Sequence, residues 1–252
     1  MGVIVESRGA IRIVTIANPE RRNSLDRETF RGLGDAFESA EHDDSVRVLV
    51  LTAVGDKAFC SGADLRSMAE AKGDERPLGQ GPGVFTERLY PKPIVAAVNG
   101  AALGGGLGIA LGCDIIVAVD DATFGLPEVK RGLIGAGSGS RASIRLTPAL
   151  AMELGLTGDA ISAARAYEIG LINRVVSRAE LLPTAIAIAE RIEANGPIAV
   201  RATKEMIYET QSLGRVDMPT LRAKVAHVIA SDDAKEGARA FAEKRTPNFT
   251  GR

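Results

Sequence analysis

The sequence predicts an α/β protein that carries an appended helical region. Apolar runs typical of buried strands alternate with segments whose apolar residues recur at helical spacing. After residue 197 only amphipathic helical segments follow. Of the 252 residues, 45% are apolar and 25% are charged, a composition that excludes a disordered chain. This length suits one α/β domain plus an additional piece.

The first fifty residues are predicted to run strand, strand, helix, strand. Residues 3–5 and 11–16 are predicted to form a hairpin, with residues 7–9 in its turn. A helix is predicted to begin within residues 23–26, and an apolar strand follows at residues 46–52. The buried face of that helix is predicted to consist of Phe30, Leu33, Phe37 and Ala40.

The central stretch combines an apolar run with three consecutive glycines. Residues 94–98 predict a buried strand, Asn99-Gly100 ends it, and a helix-compatible segment, residues 107–111, follows the glycines. Glycine at a helix start leaves backbone N–H groups open to a ligand oxygen that carries negative charge. On this stretch alone, close packing of helix against strand is the favoured explanation. The dinucleotide fingerprint is excluded because position 109 is Ile, and no Gly-Lys-Ser/Thr phosphate loop is present.

Two carboxylates and two loops follow the predicted strands. Asp64 ends a segment of small residues, where it could cap a helix or border a close backbone approach. Glu128 comes after a strand predicted at residues 114–119, and taken alone it is predicted to be solvated. Residues 72–83 are rich in Gly, Pro and charge, which predicts a surface loop or lid.

A second glycine-rich loop is predicted at residues 132–140. It lacks the G-x-S-x-G nucleophile elbow, because Ala136 stands where a glycine would be needed. Ser138 is therefore predicted to be a loop residue and not a nucleophile.

From residue 148 onward the pattern is mostly helical. Ser162 is predicted to cap a helix that stops at Gly170, and residues 171–176 are predicted to be extended. Further helices are predicted at residues 178–194, from Pro197 onward, and at residues 217–230 and 232–245. The apolar faces of the last helices must be buried, and a neighbouring subunit is one surface that could cover them.

Charge and residue usage argue against several classes of function. The net charge of −1 provides no broad attraction for nucleic acid or an anionic membrane. No apolar run is long enough to span a bilayer and no secretion signal begins the chain, so a cytoplasmic location is expected. Cys60 and Cys113 are expected to be reduced, buried thiols. His42 and His227 have no partners at ligand spacing, so no metal site is expected.

Seven motifs, in order and at fitting separations, resemble the crotonase (enoyl-CoA hydratase/isomerase) superfamily over essentially the whole chain. The motifs are NPERRNSL at 18–25, KAFCSGADL at 57–65, VNGAALGGG at 98–106, CDI at 113–115, FGLPE at 124–128, AYEIGLINRVV at 166–176 and FAEKR at 241–245. The resemblance implies a spiral ββα core that binds acyl-CoA, residues 1–196, and a C-terminal helical trimerisation region, residues 197–252. It also implies a homotrimer or hexamer, with a coenzyme A thioester as substrate and no bound cofactor.

The resemblance also implies the site residues. The thioester oxygen would accept hydrogen bonds from the backbone N–H groups of Ala63 and Gly105, and Glu128 would move protons. Enolate formation places charge on that oxygen, and losing one such donor typically costs roughly a hundredfold or more in rate. Residues expected to contact the substrate are Arg22, Lys57, Cys60, Asp64, Leu65, Arg66, Pro127 and Lys244. Of these, Lys57 and Arg66 would lie near the coenzyme A phosphates, and Lys244 would reach the ligand of a neighbouring subunit.

One departure from the family pattern bears on the reaction. Hydratases of the family use two glutamates, and the position of the first is Gly108 in this chain. A single Glu128 can take a proton from one carbon and return it at another, so enoyl-CoA double-bond isomerisation is the favoured chemistry. Hydration of a 2-enoyl-CoA is the alternative, with a second group supplied from elsewhere, for example from residues 72–83. The glycine-rich loop after Gly132 also looks about one residue shorter than in hydratases, which leaves the acyl-chain preference open.

Other reactions of the superfamily and other classes of protein remain as alternatives. Decarboxylation and C–C bond formation on acyl-CoA also belong to the superfamily. A non-catalytic acyl-CoA-binding homologue would explain Gly108, although retention of Glu128 argues against it. RNA binding is disfavoured by the near-zero net charge and the lack of long Lys/Arg runs.

Overall fold

The computed structural model describes residues 2–64 and 80–252, which form a mixed α/β structure. The strands are β1 Val3–Arg8, β2 Ile11–Ile16, β3 Val48–Ala53, β4 Ala58–Cys60, β5 Ile94–Val98, β6 Ala101–Leu103, β7 Ile115–Val119, β8 Thr123–Gly125, β9 Ile161–Ser162 and β10 Arg174–Val176. The α-helices are α1 Arg27–His42, α2 Gly83–Thr86, α3 Gly105–Gly112, α4 Ala136–Arg145, α5 Pro148–Thr157, α6 Ala163–Glu168, α7 Leu181–Glu193, α8 Pro197–Leu213, α9 Met218–Ala230 and α10 Asp232–Glu243. Short 3-10 helices cover Pro19–Arg21, Pro127–Arg131 and Arg178–Glu180. The predicted α/β class is confirmed.

The strands form two sheets that the chain visits in turn. The larger sheet has the order β1-β2-β3-β5-β7-β10, and the smaller has the order β4-β6-β8-β9. Strands β3, β5 and β7 of the larger sheet are each followed along the chain by a strand of the smaller sheet. In each case the next α-helix comes after that second strand. Within the larger sheet only β1 and β2 pair antiparallel, and within the smaller sheet only β8 and β9 do. The described chain is therefore a spiral of ββα turns.

The main core lies between the larger sheet and the helices that cover it. Strands β3 and β5 are fully buried and wholly or almost wholly apolar, as expected for parallel strands covered on both faces. Helix α1 begins at the N-cap Asp26, whose carboxylate accepts a hydrogen bond from the Thr29 N–H at 2.9 Å. Three of the four predicted apolar residues of α1 are fully buried, and Phe30 is half-buried.

The structure corrects three predicted local features. The first hairpin turns at Gly9 and Ala10 and not at residues 7–9, because Ser7 and Arg8 still pair with β2. The glycine-rich segment 132–140 is only partly a loop, since α4 begins at Ala136. Of the predicted loop at residues 72–83, residues 72–79 lie outside the described residues, and Gly83 already begins α2.

An ion pair with little exposure to solvent joins the C-terminal helices to the spiral. The ammonium group of Lys204 on α8 lies 2.8 Å from a carboxylate oxygen of Asp114, which directly precedes β7. The Tyr208 hydroxyl donates to the other oxygen of that carboxylate at 3.1 Å, and the Ile94 N–H donates to the first at 2.7 Å. These contacts fix α8 against the edge of the core. The division at residue 197 into a binding core and an oligomerisation region stays a prediction.

Candidate active site

Three residues whose groups could take part in a reaction follow three neighbouring parallel strands. In the smaller sheet β4 pairs with β6, and β6 pairs with β8, all parallel, with Cys60 opposite Ala102 and Leu103 opposite Gly125. Because the strands are parallel, their carboxyl ends meet at one edge of the sheet. Ala63, Gly105 and Glu128 come two or three residues after the ends of β4, β6 and β8. The fold therefore brings together the three residues that the resemblance implies, and their roles stay predictions.

Close backbone packing holds the start of α3 against β4. A Cβ built on Gly106 would lie 2.0 Å from the Cys60 carbonyl oxygen, a distance that no side chain can occupy. Gly62 has φ +90°, and a Cβ there would lie 3.0 Å from the Gly105 nitrogen. The helix–strand packing favoured for the central stretch is thus present. It also brings the backbone after β4 against the first residue of α3.

The two backbone N–H groups at this contact are open to a ligand. Ala63 forms a parallel bridge with Leu25, in which the Leu25 N–H donates to Gly62 and the Asp64 N–H donates to Leu25. In such a bridge the N–H of the middle residue points away from the partner strand. Gly105 is the first residue of α3, where N–H groups have no partner within the helix. Within the described residues neither N–H donates a hydrogen bond, so the pair can serve as an oxyanion site.

A polar turn supports Ala63 from the other side. Asn23 is 1% exposed, has φ 54°, and donates hydrogen bonds to the carbonyls of Val54 at 3.0 Å and Ala58 at 2.7 Å. The neighbouring Arg22 also has positive φ, and its carbonyl accepts from the Ser61 N–H at 3.2 Å. These bonds attach the turn after β2 to the segment that carries Ala63. Sequence reasoning did not single out Asn23, although it lies in the motif NPERRNSL.

Glu128 lies on the 3-10 helix after β8, with its side chain turned inward. Its Oε1 accepts a hydrogen bond from the Ser138 hydroxyl at 3.1 Å. Its Oε2 is shielded from solvent and has no hydrogen-bond partner within the described residues. A Cβ built on Gly104 would lie 3.1 Å from Oε1, which places the carboxylate directly beside the triple glycine. The prediction of a solvated Glu128, made from that segment alone, is therefore wrong for its carboxylate.

Ser138 is a contact of Glu128 that sequence reasoning missed. It was expected in a loop, but it is the third residue of α4, is 4% exposed, and contacts Glu128. Its position ten residues after Glu128 carries no motif, so only the fold reveals the pairing.

Cys60 lies in the core and its thiol is not reactive. The side chain is fully buried, and burial raises the pKa of the Cys60 thiol to about 12. The Gly62 N–H points to its sulfur at 3.5 Å, a weak contact that lowers the pKa slightly. The thiol is protonated at neutral pH, so any contact of Cys60 with substrate would come from its backbone.

The remaining predicted binding residues are spread over the surface around the site and beyond it. Arg22, Lys57 and Lys244 are exposed, and Lys244 lies at the end of α10, apart in sequence from the strand ends. The Asp64 carboxylate forms an ion pair with Arg21 at 2.9 Å. Pro127 is half-buried and begins the 3-10 helix of Glu128, while Leu65 and Arg66 lie outside the described residues.

The described ranges contain neither a candidate metal site nor a helix that could span a membrane. Between residues 2–64 and 80–252 no cluster of three or more His, Cys, Asp or Glu side chains is placed to bind a metal ion. Over the same residues no helix has the length and apolar character needed to cross a bilayer.

Comparisons with known proteins show which family the chain is similar to. A family model described as enoyl-CoA hydratase/isomerase matches residues 6–252. The crystal structure of an enoyl-CoA hydratase from Mycobacterium tuberculosis H37Rv is 45% identical, with a TM-score of 0.92, over 100% of this chain and 99% of that one. Enoyl-CoA hydratase EchA19 from the same species is 40% identical over 99% of this chain and 96% of its own. Carnitinyl-CoA dehydratase from Proteus mirabilis is 36% identical over 98% of this chain and 97% of its own.

The packing of α3 on β4 leads to a stability prediction. Gly106→Ala places a methyl group against the Cys60 carbonyl and must push α3 away, so we expect the free energy of unfolding to fall by about 1–3 kcal/mol. Gly237→Ala on α10 is the matched control, because a Cβ there meets only ordinary contacts with Phe249. Urea denaturation of both variants measures the difference. Equal stability of the two variants would contradict the proposed packing constraint.

Proposed function

Because the chain belongs to the enoyl-CoA hydratase/isomerase family and is an enzyme of that family, we propose that it binds an acyl-CoA thioester and stabilises its enolate. The observation that supports this proposal is the pair of open N–H groups of Ala63 and Gly105, which lie beside the Glu128 carboxylate with its buried Oε2. Fixed donors aimed at the thioester oxygen favour the charge that develops there when an α proton is removed.

The reaction we propose is the shift of a double bond by one carboxylate. Glu128 takes a proton from the α carbon of a 3-enoyl-CoA, and the electron pair of that C–H bond spreads over the thioester and the double bond. The same carboxylate then returns the proton to the γ carbon, which yields the 2-enoyl-CoA. No water is added and nothing is oxidised, so the single carboxylate is sufficient. Positioned acid–base transfer of this kind contributes about 10²–10⁴ in rate.

Hydration of a 2-enoyl-CoA is the second candidate. The names of the relatives favour it, since they are called enoyl-CoA hydratase and carnitinyl-CoA dehydratase. Addition of water requires a group that orients the water molecule, and position 108 offers only a glycine for that purpose. This candidate would need a second polar group from another part of the chain.

We also propose that the chain assembles into a trimer or a hexamer. Helices α8 and α9 bury no residue completely in the isolated chain. Large apolar side chains on α8–α10 are exposed instead, among them Ile207 at 56%, Ile229 at 67% and Phe241 at 88%. An apolar surface of this kind is typical of a subunit interface.

The proton-transfer proposal predicts the behaviour of Glu128→Gln. The amide cannot accept the α proton, so turnover of 3-hexenoyl-CoA to the 2-enoyl product should fall by about 10²–10⁴. Glu153→Gln on α5, an exposed carboxylate, should retain wild-type turnover. Product mass and uptake of solvent deuterium at the α and γ carbons report the reaction.

Three outcomes of that experiment would count against isomerisation by Glu128. Turnover that survives in Glu128→Gln would remove the carboxylate from the mechanism. A gain of one water from 2-hexenoyl-CoA, with no double-bond shift in the 3-enoyl isomer, would favour hydration. Tight binding of both thioesters with no deuterium uptake would favour the non-catalytic acyl-CoA-binding protein.

The assembly proposal predicts the effect of a charge at position 241. Phe241→Asp would bury an unpaired carboxylate in the interface, so the molar mass measured by light scattering should fall towards that of one chain. Val5→Asp, on the edge strand β1, replaces another exposed apolar residue and should leave the assembly intact. A wild-type protein with the mass of a single chain would overturn the proposal.

A further inference from the structure

Helices α3 and α4 meet at Gly108 and Ser138. A Cβ built on Gly108 would lie 3.2 Å from the Ser138 Cβ and 3.3 Å from its Cα. These distances are shorter than nine in ten contacts that real Cβ atoms make, so a side chain at position 108 would require Ser138 to shift by a few tenths of an ångström. Ser138 itself is 4% exposed, so it has little room to move aside. The absence of a side chain at position 108 is therefore what allows Ser138 to occupy its place.

From that place Ser138 reaches the Glu128 carboxylate. Its hydroxyl donates to Oε1 at 3.1 Å. Two glycines also pack against the Glu128 carboxylate, since a Cβ on Gly104 or on Gly135 would come within 3.1 Å of it. These glycines leave space for the carboxylate but offer it no side-chain donor. Within the described residues, Ser138 is the one side chain that donates a hydrogen bond to it.

The two carboxylate oxygens consequently differ. Oε1 is held by the Ser138 hydroxyl, whereas Oε2 is shielded from solvent with no partner among the described residues. Leaving a buried carboxylate oxygen without a hydrogen bond is costly, so such an arrangement persists only where the surroundings impose it. The free oxygen is the one that could accept a proton from a bound substrate.

We propose that Ser138 is the positioning residue for the general base Glu128, and that Gly108 and Ser138 act as a coupled pair. Ser138 fixes the rotation of the carboxylate and so presents Oε2 to the substrate. A larger residue at position 108, including a second carboxylate, would displace Ser138, so the two arrangements exclude each other. This inference rests on the proposed function, because it concerns the same proton transfer.

The direct test is Ser138→Ala, assayed with 3-hexenoyl-CoA. Losing one hydrogen bond to a charged group should lower kcat about ten- to hundredfold, while KM stays within about twofold, since the proposed role of Ser138 acts through Glu128 and not through substrate binding. Ser143→Ala removes an exposed hydroxyl from the same helix and should leave both constants unchanged. Unchanged kcat in Ser138→Ala, or a raised KM with kcat intact, would overturn the proposal.

The coupling has its own test in a double-mutant cycle. Gly108→Ala should lower kcat in the wild-type background, because its methyl group pushes Ser138 away from Glu128. In the Ser138→Gly background the same change should cost little further kcat, since the hydroxyl that holds Glu128 is already absent and its displacement has no further effect. Equal losses in both backgrounds would contradict the coupled pair. The thermal midpoint of each variant establishes that the compared proteins are folded.

Failure of this inference can be distinguished from failure of the proposed function. If Glu128→Gln retains turnover, the single-carboxylate mechanism itself is wrong, whatever Ser138→Ala does. If Glu128→Gln is inactive but Ser138→Ala behaves like the wild type, only the positioning role is wrong.

Discussion

The contact between the start of α3 and strand β4 is the constraint on which the rest of the site depends. Gly106 lies so close to the Cys60 carbonyl that only glycine fits, and this closeness brings Gly105 to the backbone after β4. Three parallel strands then place Ala63, Gly105 and Glu128 at one edge of the smaller sheet. Each successive turn of the spiral contributes one of these three residues. The repeated fold thereby brings residues that are far apart in the sequence to one place.

The site combines neutral donors with one enclosed carboxylate. Backbone N–H groups held by sheet and helix need no rearrangement when charge develops on a thioester oxygen, and this favours enolate formation in general. What the enolate then becomes depends on the groups around it, and fold alone does not settle that choice. In the proposed mechanism that choice depends on Gly108, which supplies no second carboxylate, and on Ser138, which donates a hydrogen bond to the first.

The long, regular elements could be predicted from the sequence, and the short ones could not. The buried strand at 94–98 and the helix after Asp26 follow from apolar runs and a capping residue, and both are present. Strands β4, β6 and β8 have three residues each, too few to show a pattern, although they organise the site. Without the family resemblance, Glu128 would have been assigned to solvent, because its carboxylate is enclosed by contacts with Gly104, Gly135 and Ser138 that its own segment does not show. The contact of Ser138 with Glu128 could not be predicted either, since tertiary contacts determine both its position and its partner.

The most direct test of the account is the vibrational frequency of the thioester carbonyl in a bound, isotope-labelled acyl-CoA. Two hydrogen bonds from Ala63 and Gly105 polarise that carbonyl, so its stretching band should shift to lower frequency on binding to the wild-type protein and to Glu128→Gln alike. In Gly106→Ala, where α3 is displaced from β4, the shift should be lost or much reduced. A band at the frequency of the free thioester in the wild-type complex would contradict the central claim that these strand ends build an oxyanion site.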